Sequence, residues 1–497
     1  DQITAMRIGE ARRFWEDLQL GEAATIIAAQ PVRELRDRLR FLQDVGLDYL
    51  SLDRAAHQLS GGEAQRIRLA TQLGSRLTGT IYVLDEPTIG LHDRDTERLL
   101  QTLRGLVELG NTLVVVEHDL QVIRAADHVI DMGPGAGELG GQIVAQGTPQ
   151  QIAESPTLTG EFLSGRRTLK SAARNRTPKR WLKLPPARLH NLDGFEARLP
   201  RGCLTVVSGV SGSGKSSLVM GVLAPWLEKR LEKKPSEGVQ RLVVVDQKPI
   251  GRTPRSSPMT YCDLMSPIRK LLASTPLARS RGWTSTRFSY NHKAGGRCIH
   301  CEGRGAVLIE MHFLSDVWLT CDECQGQRFD RGTLEVQWKG HSIADILRLT
   351  VDDALALFAA QRGLERRLRA LHDVGLGYIR LGQSATTLSG GEAQRMKLAK
   401  ELQSQKKETC FLLDEPTTGL HLDDIERLMG VLQRLVDAGH MVVMIEHQLD
   451  LIRCADHILD LGPEGGTGGG RLVASGSPEE VAEVSDSWTG RAIRGRL

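Results

Sequence analysis

The sequence predicts an α/β protein made of two related cores, the first incomplete and the second carrying a cysteine-bearing insertion. Three observations predict it. One block of the chain occurs twice at a fixed offset. A buried strand, a glycine-rich turn and a helix start follow one another in LTVVSGVSGSGKSSLVMGVL. Two CxxC pairs lie between that turn and the second copy of the block.

The repeat organises everything else. LSGGEAQRIRLA begins at Leu59 and LSGGEAQRMKLA at Leu388, an offset of 329 residues. The same offset relates LDEPTIGLH to LDEPTTGLH (Asp85 and Asp414), VEHDL to IEHQL (His118 and His447), and DVGLDYL to DVGLGYI (Tyr49 and Tyr378). The second copy reaches upstream to a phosphate loop at Gly209, and the matching position in the first copy would precede residue 1. The first copy therefore starts in its middle, with MRIGEARRFW from Met6 pairing loosely with LTVDDALALF from Leu349. The expected division is a partial first half at 1–164, a basic linker at 165–186, and a complete second half at 187–497 with an insertion at 251–345. The chain is expected to be a fragment or a natural truncation.

Bulk properties set the remaining bounds. A chain of 497 residues exceeds what one core can use. No run of about 18 apolar residues occurs, so no membrane span and no membrane partner are expected. DQITAMRIGEARRFW lacks the order of a signal peptide, which makes the expected location cytoplasmic. A formal charge of +3 does not by itself argue for nucleic acid. Eight cysteines in so long a chain are no disulfide framework. GRRTLKSAARNRTPKRWLKLPP, between the copies, reads as a solvated linker or as a phosphate-contacting strap.

Gly209, Gly212, Ser213, Gly214, Lys215 and Ser216 belong to a GxxxxGKS loop between a strand and a helix, and Ser217, which follows it, is a further candidate nucleotide contact. Its glycines let backbone N–H groups close on phosphate oxygens, and the helix N-terminus favours an anion. Lys215 suits the β- and γ-phosphates of ATP, and Ser216 suits Mg²⁺. CFLLDEP and IYVLDEP are strands that end in carboxylates, at the ligand edge of an open sheet. Asp414 and Asp85 suit the Mg²⁺ shell; Glu415 and Glu86 suit orienting or deprotonating water. His447 and His118 follow apolar strands and suit sensing a γ-phosphate. Ser389, Gly390 and Gly391, like Ser60, Gly61 and Gly62, open helices with a capping hydroxyl and free N–H groups.

LSGGE, DEP and a downstream histidine together resemble the ABC ATPase superfamily. That resemblance implies a composite site, with Lys215, Ser216, Asp414, Glu415 and His447 facing Ser60, Gly61 and Gly62. The other site would use Asp85, Glu86, His118 and the signature at Ser389, without a phosphate loop from this chain.

Cys298, Cys301, Cys321 and Cys324 have the spacing of a structural Cys₄ zinc site. Cys203, Cys262, Cys410 and Cys454 read as small core residues. A zinc module between phosphate loop and signature narrows the resemblance. DQKPIGRTPRSSPMTY, IEMHFLSDVWLTC, GVSGSGKSSL and VGLDYLSLDR resemble the UvrA family, over nearly the whole chain apart from the linker. The resemblance makes Gln247 the glutamine that links nucleotide state to the inserted domain. It also implies ATP hydrolysis without nuclease activity, structural zinc, a homodimer, binding of lesion-containing DNA, and the partner UvrB. The family's UvrB-binding domain belongs upstream of residue 1, so UvrB binding is not expected of this segment.

Arg252, Arg255, Arg281, Arg287 and Lys293, interleaved with Trp283, Phe288 and Tyr290, form the candidate DNA contact, since basic groups neutralise phosphates without reading sequence. Competing expectations are a UvrA-like resistance ATPase, a transporter or translation-linked tandem ABC protein, and a fragment that folds but does not cycle.

Overall fold

The structure, a computed structural model, describes residues 2–495 apart from 57, 58, 60, 74–77, 136, 170–175, 234–238, 247, 252, 310, 312–316 and 404–407. It divides into two units. One comprises Asp1–Met132, Ile143–Val244 and Lys407–Leu497; the other comprises Gly133–Gln142 and Val245–Lys406.

The first unit is built on a six-stranded sheet. Its order is Arg471–Gly476, His457–Gly462, Leu204–Gly209, Met441–Ile445, Thr409–Asp414, Arg241–Val245. The strands from His457–Gly462 to Thr409–Asp414 run parallel, and Arg471–Gly476 is antiparallel to its neighbour. All residues of Leu204–Gly209, Met441–Ile445 and His457–Gly462 are buried. Burial along the whole of each strand suits parallel strands covered on both faces. One cover is the segment after the phosphate loop, where Leu218, Val219, Leu223 and Leu227 pack with Leu412, Val443, Ile445 and Leu459. The register aligns Asp414 with Ile445 and Ile445 with Val207. The phosphate loop, the paired carboxylates and His447 therefore emerge at one sheet edge.

In the first copy, Ile81–Asp85 pairs in parallel with Thr112–Val116. Tyr82 and Leu84 are buried among Leu47, Leu99 and Leu103. The opposite face is exposed: Ile81, Val83, Val114 and Val116 are solvent-accessible, whereas their counterparts Cys410, Leu412, Val443 and Ile445 are buried. The second copy covers this face with the helix that follows its phosphate loop.

Two arginines of the described part of the basic segment are docked, while Arg166, Thr168, Thr177, Lys179 and Arg180 are exposed. Arg167 donates to Asp423 and Glu426 at 2.6 and 2.8 Å. Arg176 donates to Asp456 and Asp437 at 2.9 and 2.7 Å. Trp181–Lys183 then pairs with Arg198–Pro200.

The second unit holds an antiparallel hairpin, Ala306–Ile309 with Val317–Thr320, and several helices. Phe288, Tyr290, Phe358 and Leu368 are fully buried there. The helix Gly390–Leu402 opens with a reciprocal cap in which Ser389 accepts from the Glu392 N–H and Glu392 accepts from the Ser389 N–H. Among the described residues no helix is long and apolar enough to cross a membrane.

Asp456 is buried and accepts from both Arg176 and the Leu204 N–H. Arg176→Ala would leave that carboxylate without its cation, at a cost of about 3 kcal/mol. The expected result is a lower urea midpoint for the unit holding the main sheet, read by the fluorescence of Trp181, with Arg176→Lys recovering part of the loss.

Candidate functional site

The phosphate loop is shaped by backbone that only glycine accepts readily. Gly209, Gly212 and Gly214 have φ of 133°, 72° and 105°. Lys215 is buried, and its ammonium donates to the carbonyls of Gly209 and Val210 at 2.9 Å each, folding the side chain back over the loop. Burial lowers the Lys215 ammonium to about 8 against the pull of Glu415 and its neighbours.

Segments of the first copy close over this loop. A Cβ at Gly212 would stand 2.6 Å from the Tyr49 ring. The Tyr49 hydroxyl donates to Glu63, on the helix Gly61–Leu73 that carries the first signature. The Ser211 N–H donates to Asp95, and its hydroxyl to the Gly90 carbonyl, both at 3.3 Å. Ser60 lies outside the described residues; Gly61 and Gly62 begin the helix.

The catalytic candidates come in matched pairs. His447 Nε2 lies 3.3 Å from Glu415, and His118 Nε2 lies 3.4 Å from Glu86. Glu415 and Glu86 have φ of 48° and 45°, a left-handed conformation uncommon for glutamate. The turn of the opposite copy faces each carboxylate. A Cβ at Gly90 would stand 3.4 Å from both Glu415 oxygens, and one at Gly419 3.3 Å from Glu86. Asp414 and Asp85 end their strands beside these glutamates.

The two pairs differ in environment. The His447 side chain is 10% exposed and that of His118 37%. Burial and the charge of Lys215 lower the His447 imidazole, whereas the hydrogen bond to Glu86 raises that of His118. Burial alone would raise Glu415, but His447 and Lys215 outweigh it and hold the carboxyl below its ordinary value. Glu415 is thus kept ionised beside a neutral imidazole.

Sequence reasoning missed the residues that hold these histidines. Glu446 accepts from the Thr417 N–H and hydroxyl and from the His447 N–H, at 3.2, 2.7 and 3.1 Å. Glu117 does the same for Thr88 and His118. The signal was present in the repeated EH and DEPT strings.

Other candidates lie in the second unit. Gln247 is outside the described residues, but its flanks are pinned: Lys397 donates to Asp246 and to the Lys248 carbonyl. Among the proposed DNA contacts, Arg255 pairs with Glu302, Arg281 with Glu335, and Arg287 with Asp330 through both carboxylate oxygens. Phe288 and Tyr290 are core residues. Lys293 is exposed and Arg252 is outside the described residues.

Ser213 Oγ and His447 Nδ1 are buried without a hydrogen-bond partner beside the loop, as fits a polyanionic ligand there. Ser216 and Asp414 would hold its Mg²⁺. The Sγ atoms of Cys298, Cys301, Cys321 and Cys324 lie within 4.8 Å of one another, with Cys301 to Cys324 at 3.6 Å. Tetrahedral zinc with bonds of about 2.3 Å sets sulfur separations of about 3.8 Å. Turns with positive φ at Glu302–Gly303 and Gln325–Gly326 follow the two pairs. The cluster fits zinc. Cys203, Cys262, Cys410 and Cys454 are buried elsewhere.

A phosphate loop of one copy met by the signature-bearing segment of the other is the ABC ATPase arrangement, and the α/β fold and this site assign the chain to that class. No protein-family model matches the chain. UvrABC system protein A of Methanothermobacter thermautotrophicus is 54% identical over 506 residues, covering 99% of this chain and 52% of that protein. UvrABC system protein A of Bacillus subtilis is 52% identical over 507 residues, covering 99% and 53%. The crystal structure of UvrA2 from Deinococcus radiodurans matches with a TM-score of 0.94 at 46% identity, covering 100% of this chain and 63% of that one. The chain belongs to the UvrA family and spans about half the length of the curated relatives it matches.

Burial raises the Glu446 carboxyl to about 7 from an ordinary 4.5. A carboxyl raised on folding lends stability that is complete below about pH 4.5 and is lost as pH climbs through about 7. The stability of the wild type relative to Glu446→Gln should therefore fall between pH 5 and pH 8, by an amount on the order of 3 kcal/mol. Urea unfolding at the two pH values measures it; a difference that stays constant with pH would contradict the assignment.

Proposed function

We propose that the chain binds Mg²⁺·ATP at the composite site, hydrolyses it, and uses the cycle to recognise lesion-containing DNA in nucleotide excision repair. The observation that carries the ATPase reading is the Glu415–His447 pair, its histidine buried and its glutamate partly buried, beside Lys215 and under the first copy's Gly90 turn. Lys215 takes the β- and γ-phosphates. Glu415, ionised and aimed by His447, orients or deprotonates the attacking water. His447 reports the γ-phosphate. Mg²⁺ supplies charge neutralisation at the phosphates.

The DNA reading rests on the UvrA relatives, whose names place them in the UvrABC system. Lesion-containing duplex is the substrate, a homodimer the working assembly, and the cytoplasm the location. No nuclease activity belongs to this chain, and UvrB binding is not assigned to it. Structural zinc at Cys298, Cys301, Cys321 and Cys324 steadies the hairpin between those pairs. One observation favours a second reading, a UvrA-like resistance ATPase indifferent to DNA. Arg255, Arg281 and Arg287 already spend their charge on carboxylates.

ATP hydrolysis by the purified chain, with no DNA, intact duplex and UV-damaged duplex, separates these readings. Turnover stimulated by damage and lowered about 100-fold in Lys215→Ala is expected. Lysine-dependent turnover indifferent to DNA would favour the resistance reading. No turnover in any condition would contradict hydrolysis by this chain.

A further inference from the structure

We propose that Thr489 and Thr159 are positioning residues, each holding, through a histidine, the turn of the opposite copy that faces a catalytic glutamate. The inference deepens the ATPase reading and rests on it for its consequence, though not for its geometry.

Gly90 and Gly419 are the residues against Glu415 and Glu86, and two residues beyond each stands a histidine. His92 caps the helix Asp93–Glu108 and His421 caps Leu422–Asp437. Both use the ring in the same way. His92 Nδ1 accepts from the Arg94 N–H, and His421 Nδ1 from the Asp423 N–H, each at 3.3 Å. A neutral imidazole that accepts at Nδ1 carries its proton on Nε2. Both rings are kept neutral: burial pushes His92 down to about 3, and burial likewise lowers His421.

The protonated nitrogens meet threonines from the opposite copy. His92 Nε2 is 3.5 Å from Thr489 Oγ1, and His421 Nε2 is 3.4 Å from Thr159 Oγ1. Each hydroxyl, accepting from the ring, donates onward to a carboxylate: Thr489 to Asp460 at 2.7 Å, and Thr159 to Asp131 at 2.8 Å. Asp460 also accepts from Ser208, the residue before the phosphate loop, and from Ser487. The chain of donors therefore runs one way, histidine to threonine to aspartate, and in the Thr489 relay it joins the phosphate-loop strand of one copy to the turn of the other. The histidine contacts are long, but the same construction appears in both copies of the repeat, with His92 and His421, and Asp131 and Asp460, 329 residues apart.

An independent fastening lies beside each relay. Arg94 donates to both Glu464 oxygens at 3.0 Å and sits 4.8 Å over the Trp488 ring. Arg167, next to the Thr159 relay, holds Asp423 and Glu426 and sits 5.2 Å over Phe162. The helices Trp488–Arg494 and Leu158–Leu163 thus clasp the helix that follows the turn of the other copy.

A hydroxyl is required because the middle group must accept from the ring and donate to the carboxylate. Serine can do both and valine neither. The test is amide hydrogen exchange by mass spectrometry on the full chain, comparing segments 86–95 and 415–424. Thr489→Val should speed exchange about tenfold in 86–95 and leave 415–424 unchanged. Thr159→Val should do the reverse, and Thr489→Ser should behave as wild type. In chain that turns over ATP, Thr489→Val should lower kcat with KM unchanged, since Thr489 touches no ligand group. Exchange unchanged in both segments, or raised equally in both, would overturn the proposal. Absence of turnover with the segment-specific exchange pattern intact would count against the ATPase reading alone.

Discussion

The Tyr49 ring lies against Gly212, and the site is assembled around that approach. Position 212 has a positive φ and no room for a side chain, so the loop accepts the ring only because it is glycine. Through its hydroxyl, Tyr49 also holds Glu63 on the first signature helix. One side chain thereby ties the phosphate loop of the second copy to the signature helix of the first. Ser211, bonded to Asp95 and Gly90, adds a second tie in the same direction. Without this meeting, Lys215, Glu415 and His447 would stand at the open edge of a single sheet.

Burial then sets the chemistry. Lys215, Glu446 and His447 are buried beside the partly buried Glu415, where an unpaired charge is costly. The arrangement resolves this by fixing protons. Glu415 stays ionised because Lys215 and His447 face it, and His447 stays neutral because it is buried beside a cation. Glu446, among amides and a hydroxyl, is the group that yields a pKa near neutrality. The first copy repeats the geometry at Glu86, His118 and Glu117 in a more exposed setting, where His118 titrates upward instead.

What could be read in advance follows the range of each interaction. The GxxxxGKS loop, the strand-end carboxylates and the CxxC pairs are local patterns, and their spacing alone implies phosphate and metal chemistry. The repeat extended this reach, since a constant offset of 329 residues implied two cores whatever their contacts. Arg255, Arg281 and Arg287 show where local reading stops. They cluster in sequence as a basic patch, but each finds a carboxylate 43 to 54 residues away. The interleaved Phe288 and Tyr290 have helped build a core instead of a stacking surface. The contact between His92 and Thr489 spans 397 residues and leaves no local mark.

The central claim is that one chain supplies both sides of the composite ATP site. Specific ATPase activity measured against protein concentration, from nanomolar to micromolar, tests it most directly. A site completed within the chain predicts turnover per chain that is independent of concentration, even where two chains associate for other purposes. Turnover per chain that rises in proportion to concentration, and that is restored by mixing Lys215→Ala chains with chains altered in the first signature (Ser60→Arg), would contradict it.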